Sequence, residues 1–327
     1  MSIPGQSILE EGDYFLDTTQ RDAVWDNLVD ESKQGSIFSY SGYLSSLGVN
    51  FSRYLVKNRQ GETVAIAAII EENGVMHRAP FPFTPHQGIL FSQKLNNMPS
   101  HRQVSKKAEI TEFLINQLIG HYGNFHMSLS PAFDDLRPFS WHNFHSPGAP
   151  KFSITPRYTA RLDLHGFELD TYLSSIRTVR RQEYQKSAAV VSESSDIDTF
   201  IEIYEKNFER QEIALDELLL QRVRRIVQAS LDEGFGRLCM AKVDGHAASM
   251  TLFVNDQRCA WYLFGANDPA WRKSGASTVL MIDNIQHFAA KGIPYLDFVG
   301  INSPQRGDYK LSFNGQLTPY FEVHYEP

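Results

Sequence analysis

The sequence predicts an α+β protein made of two similar units, each a mixed, mostly antiparallel sheet flanked by helices. Three observations carry this. The chain has 327 residues, where one domain commonly takes about 100–200. Both halves run through one order of elements: helix, helix, antiparallel strands, helix, strand. A composition of 42% hydrophobic, 12% aromatic and 21% charged residues can bury a core and excludes disorder as the main state. Identity between the halves is negligible, so the duplication rests on element order alone.

In the first half, residues 18–33 place Val24, Trp25 and Leu28 on one side of a helix. A second short helix covers 41–47. Strands at 53–57 and 63–70 flank the turn Asn58-Arg59-Gln60-Gly61 and read as a hairpin. Three prolines stiffen 80–85. A strand at 88–91, a helix at 107–122 with Ile110, Phe113, Leu114 and Leu118 on its apolar face, and a strand at 125–129 follow. A strand at 158–164 leads into the second half. There the pattern predicts a long helix over 168–188, helices over 196–211 and 216–233, and strands at 237–243, 247–254 and 259–265. A helix over 276–291 and strands at 295–299 and 320–324 complete it. The boundary falls near Leu162-Asp163-Leu164-His165-Gly166, giving units 1–165 and 166–327.

Several function classes drop out. The net charge of −7 argues against a chain whose main task is gripping nucleic acid. No run of about 18 apolar residues exists to span a membrane; the most apolar stretch, Val64 to Ile70, is strand-sized. The opening MSIPGQSILEEGDYF lacks the basic and apolar regions of a signal peptide, so a cytoplasmic location is expected. Cys239 and Cys259 are too few for a cluster, form no CxxC pair, and read as buried thiols. No phosphate-cradling GxxxxGK[ST], GxSxG elbow or HExxH is present. Gly234-Phe235-Gly236 precedes a strand and lacks a third glycine, so it is no dinucleotide fingerprint. His142 and His145 lie near Asp134 and Asp135 in a loop, and no metal is assigned.

Three constellations remain. Trp271-Arg272-Lys273-Ser274-Gly275-Ala276-Ser277 joins a strand to an apolar helix. Its small residues and the helix N-terminus suit an anion; the plainer reading is a loop with Ser274 or Ser277 as cap. The strand Tyr295–Val299 carries Asp297 and runs on to Gly300 and Asn302, and Lys310 follows in a partly apolar setting. Such a cation can stabilise developing negative charge, or Asp297 and Lys310 can be a structural pair. Last, Arg177, Arg180, Arg181 and Lys186 are either an anion site or a solvated face.

These segments together resemble the GNAT acyltransferase superfamily, specifically its Fem-like branch of tandem GNAT domains. Arg272-Lys273-Ser274-Gly275-Ala276-Ser277 is similar to the pyrophosphate loop R/Q-x-x-G-x-G/A. Gly292-Ile293-Pro294-Tyr295-Leu296-Asp297-Phe298-Val299-Gly300 is similar to the Fem strand "G…yDf.G". Tyr309-Lys310-Leu311-Ser312-Phe313-Asn314-Gly315 resembles "F-K-x-x-F-G-G", and the helix with Arg177 through Lys186 resembles the family's basic segment. The chain departs from the pattern at Ser277, Tyr309 and Asn314.

The resemblance implies transfer of an acyl or aminoacyl group to an amine. It gives Lys310 the role of stabilising the transition-state charge. Tyr309 donates a proton or positions substrate. Asp297 orients or deprotonates the amine, or is structural. Arg272, Lys273, Gly275 and Ser277 hold the donor's phosphates, and Asn302, Arg177 and Arg181 bind substrate. The first unit is expected to serve the acceptor and the second to bind donor and catalyse. Acyl-CoA, in particular acetyl-CoA, is the expected donor, with aminoacyl-tRNA the alternative. The acceptor is expected to be an amine of a small molecule, a sugar or a cell-envelope precursor; for the tRNA donor it is a peptidoglycan precursor. No integral membrane segment and no metal are expected. The departures leave a catalytically inactive binding module as a further alternative.

Overall fold

The computed structural model describes residues 9–19, 21–209 and 215–327. These divide into two compact units: Met1–Ser45, Val49–Arg157 and Pro319–Pro327 in the first, and Ser46–Gly48 with Tyr158–Thr318 in the second. The division differs from a cut at residue 165. The strand entering the second unit is long enough to serve both, and the last nine residues return to the first.

The first unit opens with β1 (Leu9–Glu11) and β2 (Tyr14–Thr18), then α1 (Asp22–Glu31) and α2 (Ser41–Ser46). The hairpin β3 (Phe51–Asn58) and β4 (Thr63–Glu72) follows, with β5 (Val75–Met76) and β6 (Ile89–Phe91) both pairing β4. After α3 (Gln93–Asn96) comes α4 (Ser100–Tyr122), closed by Gly123, then β7 (Phe125–Ser128) and α5 (Arg137–Trp141). The strand β2 was not foreseen; it pairs β3 along Tyr14↔Asn58 to Thr18↔Tyr54. Trp25 is fully buried and donates its indole N–H to the Ser39 carbonyl at 2.6 Å. Its polar edge is therefore satisfied, as a buried indole requires.

The second unit begins on β8 (Ser153–Asp163), followed by α6 (Leu169–Ser175), α7 (Thr178–Lys186), β9 (Val190–Glu193), α8 (Ile197–Glu209) and α9 (Glu217–Asp232). A meander β10 (Gly236–Val243), β11 (His246–Asn255) and β12 (Cys259–Asn267) leads to α10 (Ala276–Ala290), β13 (Tyr295–Asp297), α11 (Pro304–Leu311) and β14 (Gln316–Tyr325). Strands β9 to β12 are antiparallel neighbours. Then β12 pairs β13 in parallel, and β13 pairs β8 antiparallel.

Two expectations need correction. The predicted helix over 168–188 is broken into α6 and α7. Ile176 is buried in extended conformation, and the Arg177 N–H bonds the Ser312 carbonyl at 3.1 Å, so the chain turns to put an apolar side chain inside. The strand predicted over 295–299 stops at Asp297, because Val299 and Gly300 turn left-handed at φ 49° and 48°. The end of the helix predicted over 196–211 lies outside the described residues.

Both cysteines are buried free thiols. Burial pushes the Cys239 thiol up to about 12 and raises Cys259 as well, which leaves them chemically inert. Among the described residues, no helix is long and apolar enough to cross a membrane, and no cluster of three or more His, Cys, Asp or Glu side chains could hold a metal.

Candidate active site

The site is organised around the end of the parallel pairing of β12 with β13. The β12–β13 register covers Cys259↔Tyr295, Ala260↔Leu296 and Trp261↔Asp297, then ends. β12 continues for six more residues along β11, with a register shift between Leu252 and Phe253. From Tyr262 on, β12 runs past the end of β13. Tyr262 is buried at that point, its hydroxyl reaching over Gly265.

Asp297 ends β13 with its side chain 2% exposed. It accepts hydrogen bonds from the Thr159 hydroxyl and, at 2.8 Å, from the Val299 N–H. Burial raises its carboxyl above the usual range against the pull of those two donors. The bond to Val299 secures a β-branched residue at positive φ, a conformation that persists only when its surroundings impose it. The Val299 carbonyl in turn accepts the Lys310 ammonium at 2.9 Å. Asp297 thus reaches Lys310 through the backbone of Val299, and no direct ion pair joins them.

Lys310 comes from α11 and is half-buried, with Nζ 4.7 Å from the centre of the Tyr262 ring. Burial lowers it to about 7; the Arg306 guanidinium pushes the same way and Asp297 opposes. An amine so placed switches charge near neutrality and sits beside the end of the β12–β13 pairing.

Tyr309, its neighbour along α11, has a second set of partners. Its ring lies 5.1 Å under the Arg180 guanidinium and meets Phe313 edge-on at 5.2 Å. Burial raises its hydroxyl, against a hydrogen bond to the Ser277 side chain. Arg180 bonds the Thr278 hydroxyl at 3.1 Å and pairs with Glu183 at 2.6 Å, while Thr278 donates to Glu183 at 2.5 Å. A closed network of α7, α10 and α11 therefore holds the start of α10.

Gly275 caps α10 at φ 76°. A Cβ there would come 3.0 Å from the Glu183 carbonyl and 3.1 Å from Ser187 Cβ, so both conformation and space demand glycine. Gly275→Ala is expected to destabilise by about 1–2 kcal/mol and to loosen α7 from the loop. Urea denaturation measures the first effect and the affinity for donor the second. Ser274 accepts from the Ala276 N–H at 3.2 Å. Arg272 and Lys273 are exposed beside this turn.

The remaining expected residues divide. Arg177 is exposed and pairs with Asp308 at 2.7 Å, and Arg181 is half-buried on the same helix. The basic run is thus not one uniform face, since Arg180 turns inward. Asn302 clasps the Tyr158 backbone with bonds of 2.9 and 2.8 Å, which commits its amide to the fold rather than to a ligand.

The three departures from the family pattern have physical accounts. Ser277 and Tyr309 contact each other. Asn314 adopts φ 65° and bonds Ser175 at 3.1 Å, and asparagine is the side chain that best tolerates this conformation after glycine. Gly315 must stay small, because a Cβ would lie 2.9 Å from the Phe298 ring.

Sequence reasoning missed Glu183, Thr278, Tyr262, Thr159 and Arg306. Thr278 and Arg306 carried a signal, being one residue beyond the loop and one helical turn from Lys310. Glu183, Tyr262 and Thr159 became legible only through tertiary contact.

Comparison with known proteins follows this geometry. Residues 173–311 match the family described as an acetyltransferase (GNAT) domain. The fold is similar to the crystal structure of FemX, at 12% identity over 93% of this chain and 96% of that one, with a TM-score of 0.61. It is similar to a tandem GNAT protein of the clavulanic acid biosynthesis pathway, at 11% identity over 96% and 98%, TM-score 0.54. It is also similar to L-PGS from Bacillus licheniformis, at 10% identity over 94% and 92%, TM-score 0.54. No curated protein matches the chain.

Proposed function

From the premise that residues 173–311 form a GNAT acetyltransferase domain within a Fem-like tandem-GNAT fold, and that the chain is accordingly an acyltransferase, we propose that it moves an acyl group from acyl-CoA, in particular acetyl-CoA, to an amine of a small molecule, a sugar or a cell-envelope precursor in the cytoplasm. The second unit binds the donor and carries the chemistry, and the first serves the acceptor. The observation that carries the reading is the half-buried Lys310 amine, fixed on the Val299 carbonyl beside the end of the β12–β13 pairing.

The amine acceptor attacks the acyl carbonyl as a neutral nucleophile and forms the C–N bond. Negative charge then grows on the carbonyl oxygen, and a fixed cation in a partly dry setting stabilises it. Lys310 supplies that cation. The thioester C–S bond then breaks, and the departing thiolate takes up the proton that the amine gives up, leaving free CoA thiol. Tyr309, through Ser277, ties the reacting helix to the turn at Gly275 that receives the donor's phosphates, with Arg272 and Lys273 adding positive charge there. Asp297 acts as a positioning residue: it holds Val299, whose carbonyl aims Lys310. Arg177 and Arg181 lie on the neighbouring helix as further phosphate contacts.

Aminoacyl-tRNA is the competing donor, transferring to a peptidoglycan precursor as the alternative acceptor. A tRNA would need an extended basic surface and give steep salt dependence, which the net charge of −7 disfavours. Acetyl-CoA is expected to raise the melting temperature of the wild-type chain, with about 2.7 kcal/mol of stabilisation at a hundredfold excess over Kd, and to release free thiol when an accepted amine is added. A silent melt with acetyl-CoA, together with a salt-sensitive complex with aminoacyl-tRNA, would move the assignment to the second donor.

A further inference from the structure

Arg306 has no part in the reading above, yet its placement calls for one. It lies four residues from Lys310 on α11, so the two cations share a helix face. Like charges so spaced destabilise a helix. Among the described residues no carboxylate forms an ion pair with Arg306; the acid of this helix, Asp308, is taken by Arg177. The guanidinium is exposed, with Cζ 5.6 Å over the Phe208 ring near the end of α8. It is a helical neighbour of both Tyr309, three residues on, and Lys310, four residues on; Lys310 meets the Tyr262 ring, while Tyr309 packs under Arg180.

We propose that Arg306 receives an anionic group of the acceptor, a carboxylate or a phosphate, one helical turn from the Lys310 amine, and so selects acceptors that carry such a group. The proposal rests on the assignment of Lys310 as the reacting cation. The donor's phosphates are expected at the turn at Gly275 beside Arg272 and Lys273, whereas Arg306 lies over Phe208 near the end of α8, and the acceptor is therefore taken as the source of this anion.

The charge of Lys310 then depends on what occupies Arg306. The groups facing Lys310 are Arg306 from its own helix, Asp297 from β13, and the Tyr262 ring from β12. With Arg306 bare, its field favours the neutral amine. Burial is the larger cause of the lowered value and stays; an anion on Arg306 offsets that field and shifts Lys310 toward the ammonium form that the reaction uses. A correct acceptor thereby charges the group that serves it.

The test needs no turnover. The midpoint of Lys310 labelling by an amine-selective reagent is followed against pH by peptide mass spectrometry, with and without inorganic phosphate. In the wild type phosphate is expected to move the midpoint upward by roughly one pH unit. In Arg306→Gln the midpoint starts higher and ignores phosphate; Arg306→Lys keeps part of the response. A phosphate response that survives in Arg306→Gln, or a midpoint unchanged by that substitution, overturns the proposal. Coenzyme A serves as a further probe: if it alone reproduces the phosphate shift, the anion belongs to the donor and the acceptor assignment fails. These outcomes stand apart from acyl transfer, so an inactive enzyme would not be mistaken for a failed anion site.

Discussion

Replacing Lys310 by alanine is expected to lower the transfer rate roughly 10²–10³-fold, the usual effect of removing one preorganised group from a developing oxyanion. The melting temperature should stay near wild type. Lys310 makes one hydrogen bond and one ring contact, and their loss is offset by no longer desolvating an ammonium. The two effects separate cleanly by initial rates and thermal melts of one preparation. Stability against pH gives an independent reading. The folded chain holds Lys310 near 7, below its unfolded value, so between about pH 7 and the ordinary lysine range the unfolded chain binds more protons at this residue. The wild type therefore gains stability as pH rises through that window, and Lys310→Ala should lack the gain. Unchanged activity in this variant would remove the residue from the mechanism.

The second large effect is expected at Asp297. Asp297→Ala leaves the Val299 N–H and the Thr159 hydroxyl without their buried acceptor, at a cost of about 1–3 kcal/mol. It also removes what secures Val299 at positive φ, so the carbonyl that aims Lys310 is free to turn away. Activity should fall although Lys310 is intact. Asp297→Asn keeps the one oxygen that accepts from both the Val299 N–H and the Thr159 hydroxyl and should restore activity and stability together. If Asp297 instead removed the acceptor's proton, the asparagine variant would be as inactive as alanine, and that result would reassign the residue from positioning to catalysis.

Much of the fold was legible because helix and strand periods write themselves into apolar spacing. The hairpin β3–β4, the helix α4 and the meander β10–β12 all follow the predicted pattern to within a few residues. The failures have physical causes. The break at Ile176 depends on a bond to Ser312, far along the chain, which no local pattern contains. The helix α11 hides behind Pro304 and a short polar stretch, so its eight residues read as loop. The candidate site was legible as a set of residues and not as a geometry. Lys310, Tyr309, Asp297 and Gly275 do gather around α10, α11 and β13, whereas Asn302 turns out to stitch backbone. That Tyr309 and Lys310, adjacent in sequence, take different partners could be read only from the fold, Arg180 and Ser277 for one and Val299 and the Tyr262 ring for the other.

The account turns on Lys310 acting as a cation, and the pH dependence of kcat/KM for Lys310→Arg beside the wild type tests that most directly, since kcat/KM reports the groups of the free enzyme. Both should share an ascending limb as the acceptor amine loses its proton. The wild type should then decline as Lys310 loses its charge near pH 7, while Lys310→Arg, with a guanidinium that stays charged, should retain measurable transfer and show no such decline up to about pH 9. An identical descending limb in both proteins, or an arginine variant as inactive as alanine with a neutral-amine optimum above pH 7 in the wild type, would contradict it.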